Sequence, residues 1–458
     1  MHRESLRPCV RIARGRLHWL LALALAALGS ASDVLAQTAD RLDPRLMAQI
    51  QTLLDEKAAR TPAQRKLDSR LVLGMKKRRG DPMFARVPEL RAELEMRGDR
   101  TLVSVHAEVT PALENAIRAL GGEIEGSHPE WSQVRAWMPV ARLEALAARP
   151  DVDGIRPPEK AITRVTTQGD VAHGTSNLRS LFPEFDGRGV KVCVLSNGVG
   201  ALSQLQAAGE LPAVQIVGDR RGESGTEGTA MLEIIHDIAP GASLGFATAL
   251  PSVATFRNNI LALRNSGCQI LVDDVGFDSE GVFQDDLLAS TIDSLAASGM
   301  LYFASAGNSG RAGTGGTGSV WEGDFRGVSA QTPRGQLLVN DFGGSVLNPV
   351  LPFAPARPAQ SYTLQWADPF AAAVSDFDMF LLDSTRTRIL ATSTSFQTGG
   401  GSRIAFEAID TPGINQMGVA LMVALTAGSP RAIHIEAFGG SVALGFSTAG
   451  HISGHAGA

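Results

Sequence analysis

Between residues 190 and 308, short apolar runs alternate with segments of helical pattern, and no other feature of the 458 residues constrains the fold as much. The runs occupy residues 190–195, 214–217, 244–247, 270–275 and 301–304. Apolar strands separated by helices predict a parallel sheet with helices on both faces, and such sheets bind ligands at the carboxyl ends of their strands. The residues that follow those runs, among them Ser196, Asn197 and Asn308, are therefore where chemistry is expected.

The flanking sequence divides by pattern. Residues 1–36 read as an export signal: Arg3, Arg7, Arg11, Arg14 and Arg16 precede an apolar run at 19–28, and a small-residue cleavage site ends at Ala36. The run is too short to cross a bilayer. Residues 37–100 form a charged, helix-prone and solvated leader. In 101–158 the order strand, helix, strand, helix, strand gives a small α+β domain, with Pro111 opening its first helix and Gly121-Gly122 closing it. A linker follows at 159–174, and beyond residue 335 apolar residues alternate with period two through 447, the pattern of a β-sandwich.

A net charge of −5 gives no footprint for nucleic acid, and no membrane contact is expected once the signal is removed. Of three cysteines, Cys9 lies in the signal, while Cys193 and Cys268 sit in apolar stretches as buried thiols whose pairing is left open.

Three segments carry a resemblance: Val190-Lys-Val-Cys-Val-Leu-Ser-Asn-Gly198, Glu227-Gly-Thr-Ala-Met-Leu-Glu-Ile-Ile-His-Asp-Ile-Ala-Pro-Gly-Ala242, and Phe303-Ala-Ser-Ala-Gly-Asn308. Together they resemble the framework of the subtilases, the subtilisin-like serine peptidases. The resemblance implies an α/β fold with the subtilisin-like parallel sheet at 175–334. It also implies a propeptide-like α+β domain at 101–158, an inserted β-sandwich at 335–447, and a peptidase core resuming at 448–458. Function would then be that of an exported serine endopeptidase homologue, secreted or periplasmic and monomeric, acting on polypeptide through an acyl-enzyme and holding its own propeptide-like domain as a partner. No cofactor is implied.

Residue by residue the match is uneven. Ser196 falls where the orienting Asp of the family stands, with Asn197 one step on, and an uncharged amide cannot stabilise an imidazolium as a carboxylate does. Glu227 takes the place of the family's His and resembles the sedolisins, which use Glu as base, although their second acid is Met231 here. Asn308 matches the family's oxyanion donor. The nucleophile segment, Gly-Thr-Ser-x-Ala/Met-x-Pro, does not occur, and Gly174-Thr-Ser176 precedes the core and continues differently. The chain is thus expected to be a truncated or inactive homologue, the alternative being a non-catalytic peptide-binding module.

Other acids and histidines take bland readings. Asp273-Asp274 face opposite sides of a strand and are expected in structural hydrogen bonds. His236 lies nine positions from Glu227, on the far face of its helix. His451 and His455 lack a zinc-protease pattern. Calcium at Asp376, Asp378 and Asp383 lacks the six to eight oxygens such an ion takes.

Overall fold

The computed structural model describes residues 42–458 apart from 159–160, 164–172, 219–221, 223–224, 311–316, 353–358, 370, 399–402, 440–441, 450–451 and 458. The signal segment and His451 lie outside the described residues.

Two longer helices come first, α1 (Pro44–Ala58) and α2 (Ser69–Arg78), with Asp43 and Asp68 as their N-caps and a single helical turn, Pro62–Arg65, between them. The α+β unit then runs β1 (Arg100–Ala107), α3 (Pro111–Ala119), β2 (Glu123–His128), β3 (Gln133–Pro139), α4 (Leu143–Ala147) and β4 (Val152–Arg156). β1 pairs antiparallel with β3 and β4, and β2 forms a hairpin with β3. Strand β2 was not anticipated: its residues Glu-Ile-Glu-Gly-Ser-His carry little apolar signal and stay half-exposed. A three-residue strand, β5 (Ala161–Thr163), follows.

The parallel sheet is built from β6 (Lys191–Ser196), α5 (Leu202–Ala208), β7 (Val214–Ile216), α6 (Glu227–Ile238), β8 (Ser243–Thr248), α7 (Val253–Asn265) and β9 (Ile270–Asp273). The helix α8 (Leu287–Ala297) and β11 (Leu301–Ala304) complete it, while short β10 (Val275–Phe277), between β9 and α8, lies outside the sheet. Its order is β11-β9-β6-β8-β7, with every pairing parallel. In-register neighbours share a face, so Val194 and Phe246 pack under α5 and α6, while Leu195, Ala247 and Leu271 pack with α7 and α8. Cys193 and Cys268 form a disulfide, Cα to Cα 5.9 Å, which settles the pairing left open. At the edge of the sheet, Leu301 and Phe303 of β11 are exposed.

The remaining strands are β12 (Val320–Asp324), β13 (Gly327–Thr332), β14 (Gly335–Asn340), β15 (Asn348–Pro352), β16 (Ser361–Trp366) and β17 (Asp376–Leu382). After them come β18 (Ile389–Ser393), β19 (Phe406–Asp410), β20 (Ala420–Ala427), β21 (Ala432–Phe438) and β22 (Val442–Leu444). One sheet runs β12-β21-β16-β19, and the other runs β13-β14-β20-β15-β22 with β17 between β18 and β20. Tyr362, Leu364, Trp366 and Ile435 from the first meet Phe377, Met379, Leu421 and Val423 from the second in one core.

The N-terminal helices are not a solvated leader. Leu46, Ile50 and Leu53 of α1 are fully buried against Phe380, Leu382 and Met422, the opposite face of the second sheet. Strand β17 is consequently buried at all seven residues. Removing a Leu or Ile side chain from water contributes roughly 1.5–3 kcal/mol, so an amphipathic helix beside an apolar sheet face docks there.

Asp376 and Asp378 share that face with Phe380, and both accept from Lys57 Nζ of α1, at 2.8 and 2.7 Å. Asp383 accepts from the backbone N–H groups of Thr387 and Arg388, at 2.9 and 3.1 Å. The three acids therefore do not converge as a calcium set.

Candidate functional site

Ser196 ends the central strand β6, where its carbonyl accepts from Ala249 N–H at 2.9 Å. Glu227 opens α6 at the neighbouring strand end, in the first turn, where the partial positive charge of the helix N-terminus favours a carboxylate. Glycine lets these segments close on each other. A Cβ on Gly225 would lie 2.4 Å from the Asn197 side chain, and one on Gly228 would lie 2.5 Å from the Phe246 ring. The helix start therefore presses against Asn197, and Thr229 Oγ donates to the Gly200 carbonyl at 2.7 Å.

Asp274 completes the group, and the sequence reading missed it. The two consecutive acids do part ways, as alternation requires, but only Asp273 turns to a structural network. Asp274 lies between β9 and β10 facing Glu227 and Ser196, and its carboxyl is pushed up to about 8. Burial is the first cause and the facing Glu227 carboxyl the second; the Ser196 hydroxyl pulls the other way. Ser196 Oγ, Asn197 Oδ1, Glu227 Oε1 and both Asp274 carboxyl oxygens are buried without a well-formed hydrogen-bond partner. Proteins rarely leave buried polar atoms unpaired away from functional sites. The signal available in the sequence was an acid pair closing an apolar parallel strand at the ligand-binding end of the sheet.

Asp273 and Glu280 hold β10 in place. Asp273 Oδ1 accepts from Val275 N–H at 3.3 Å and Glu280 Oε1 from Phe277 N–H at 2.8 Å. His455 clasps both acids, Nδ1 to Glu280 Oε2 at 2.6 Å and Nε2 to Asp273 Oδ1 at 3.2 Å, with its ring edge-on to Phe256. Two carboxylates on two ring nitrogens require both nitrogens to donate, which is the imidazolium form. Burial alone would lower the His455 pKa; the charges of Glu280 and Asp273 outweigh it and hold the pKa well above the ordinary value.

β10 starts immediately after Asp274 and pairs antiparallel with β5, Val275 opposite Thr163 and Phe277 opposite Ala161. The chain thus lays a piece of its own backbone as an added strand beside the acid group.

Of the residues singled out from sequence, Ser196, Asn197 and Glu227 come together. Asn308 does not join them: it is exposed beyond β11 on the same rim, with no hydrogen bond to the cluster. His236 occupies the last turn of α6, away from Glu227. Ser176 is exposed on the short helix Thr175–Leu181. Among the described residues no group of three or more His, Cys, Asp or Glu could hold a metal ion.

No protein-family model and no curated protein sequence matches the chain. Solved structures do. Fervidolysin from Fervidobacterium pennivorans, described as a keratinolytic enzyme related to subtilisin, is 14% identical with a TM-score of 0.28, over 47% of this chain and 41% of its own. The epidermin leader peptide processing serine protease of Staphylococcus aureus is 13% identical with a TM-score of 0.31, over 46% of this chain and 61% of its own. The CspB protease of Clostridium perfringens is 9% identical with a TM-score of 0.33, over 62% and 70%. The described residues contain no helix long and apolar enough to cross a membrane. These three alignments span between 46% and 62% of this chain.

Proposed function

We propose that the protein is an exported homologue of the subtilisin-like endopeptidases whose cleft receives an extended polypeptide along β10, and that these 458 residues hydrolyse peptide bonds weakly or not at all. The observation that carries the reading is the strand β5 laid on β10 directly beside Glu227 and Asp274. Added strands bind through main-chain hydrogen bonds, a mode indifferent to most side chains and suited to polypeptide ligands. Export agrees with the signal-like first 36 residues and with a buried disulfide, which forms in oxidising compartments.

The acid pair suits proton traffic. Asp274, held largely neutral near pH 7, faces Glu227 at a helix N-terminus, so a protonated acid and a second carboxyl stand together at the strand end. A nucleophile next to them is what hydrolysis would still need. Ser196 is the hydroxyl at hand, but it is wholly buried, and the nucleophile segment of the family does not occur in the sequence. Ser196, where the resembled family has its orienting Asp, and Asn197 beside it are both uncharged, which favours the second reading, a peptide-binding protein without catalysis.

The test is hydrolysis of a denatured protein from about pH 3 to 9, a range that spans both carboxyl and imidazole titration, beside Glu227→Ala, Asp274→Ala and a serine-directed phosphonate. Weak or absent turnover with no label is expected from folded protein. Rapid turnover with labelling, lost in both variants, would overturn the inactivity and identify a complete serine-type site. Capture of an extended peptide without turnover selects the binding reading.

A further inference from the structure

Helix α2 has two apolar sides in use. Leu71, Val72 and Met75 enter the core of the α+β unit beside Val103, Val105 and Ile155, whereas Leu73 joins Leu46, Ile50 and Leu53 in the core shared with sandwich strands β17 and β20. One segment is therefore packed into both units.

Polar contacts seal the same joint. Lys57 is wholly buried between Asp376 and Asp378, at 2.8 and 2.7 Å. Arg60 pairs with Glu56 at 2.7 Å and donates to the Thr394 carbonyl at 2.8 Å. Ser69 N–H donates to Ser395 Oγ at 2.9 Å, Thr394 N–H to Ser69 Oγ at 3.1 Å, and Arg91 N–H to the Leu390 carbonyl at 2.7 Å. Buried pairs of this kind are screened little by salt, and separating them leaves uncompensated charge in an apolar setting.

The α+β unit meets the parallel-sheet unit differently. Trp131 Nε1 donates to Asn258 Oδ1 at 3.0 Å, Arg135 donates to the Pro251 carbonyl at 3.2 Å, and the Arg257 guanidinium lies over the Trp131 ring. Among the described residues, neither apolar core of the parallel-sheet unit takes a buried residue from before Val192. A cleft of about 280 Å³, lined by Glu125, His128, Arg135, Ser252, Asn258 and Asn259, opens between the two. Such a contact is polar and parts more readily than a shared apolar core.

We propose that residues 44–156 are a resident part of the molecule, locked to the β-sandwich by α1 and α2, so that cutting the chain between β5 and β6 does not release them. The α+β unit, with the β5 strand that follows it laid on β10, is then a retained regulatory body, and its polar contact with the parallel-sheet unit is the joint that opens. Retention follows from packing alone; only the regulatory role rests on the proposed function.

The experiment places a site-specific protease sequence between Thr163 and Thr175 in the full chain, cuts it, and passes the product through size exclusion in molar salt. Both fragments are expected to elute together in equal amounts. The same is expected when Trp131→Ala and Arg135→Ala weaken the polar contacts to the parallel-sheet unit, and when the cut is placed between Arg156 and Ala161 so that β5 goes with the other fragment. Separate elution of the N-terminal fragment, in any of these proteins, overturns the proposal. Because the readout is elution rather than hydrolysis, an inactive or an active peptidase assay leaves this result unaffected.

Discussion

Asp378 and Glu407, inside the sandwich body, are pushed up to about 7 and about 8, and Asp274, at the rim of the parallel sheet, is also pushed up to about 8; burial is the first cause each time. The two neighbourhoods differ in how their polar atoms are served. Glu407 accepts from Ser393 Oγ, from Ser395 N–H at 2.6 Å and from Gln397 Nε2 at 2.7 Å, and Asp378 holds Lys57. Beside Lys57 and Glu407 two atoms, Asp378 Oδ2 and Gln397 Oε1, stay unpaired, whereas around Asp274 five atoms from four residues do, with no cation among them. A displaced pKa therefore does not by itself mark a functional site; a displaced pKa among unserved polar atoms at a strand end does.

The strongest way to break this comparison is to remove the cation from the served cluster. Lys57→Ala leaves Asp376 and Asp378 buried and uncompensated, and a loss of about 3–5 kcal/mol is expected in urea unfolding. A change below about 1 kcal/mol would mean that the cluster is hydrated and that the contrast fails.

His455→Gln should cost nearly as much, about 2–4 kcal/mol at acidic pH, because Asp273 and Glu280 lose their shared cation. The folded pKa of His455 lies above the unfolded value, so its contribution is complete below about pH 6.5 and fades as pH rises through the folded value. Unfolding midpoints of the two proteins should converge in alkaline buffer.

Asp274→Asn sharpens the contrast with the opposite sign. Asp274 is protonated in both states below about pH 4, and from there to about 8 the unfolded chain ionises while the folded protein does not. Wild-type stability falls over that window, so the variant should match it at pH 4 and exceed it by roughly 1–3 kcal/mol at pH 8. Equal pH profiles would show that the carboxyl is not held neutral. The smallest effect is expected from Arg334→Ala: its pair with Asp55, at 2.7 Å, is exposed, and such pairs contribute about 0–1 kcal/mol.

Much of the parallel sheet was legible because its central strands β6 and β8 are buried on both sides and read as apolar runs. The continuous apolar stretch Met379-Phe-Leu-Leu382 carried the same message about β17, that both faces are covered, but not by what. The cover is α1, some 320 residues earlier in the chain, as the span from Lys57 to Asp378 shows. Glu227 and Ser196 were found by motif, whereas Asp274 was passed over because alternation places Asp273 and Asp274 on opposite sides without saying which side faces the cleft. His455 was dismissed for lacking a metal-binding pattern, and its partners Glu280 and Asp273 lie far from it in sequence.

Sequence by itself determined the local elements: periodicity of two or 3.6, caps such as Asp43 and Asp68, and glycines at the turns are set by neighbours a few residues apart. Tertiary structure decided which of those elements share a core, which cysteines meet, and which acids are paired and which are left facing one another. Those outcomes depend on residues that only folding brings within a few ångströms, where burial weakens solvent screening and a single neighbouring charge changes the state of a carboxyl.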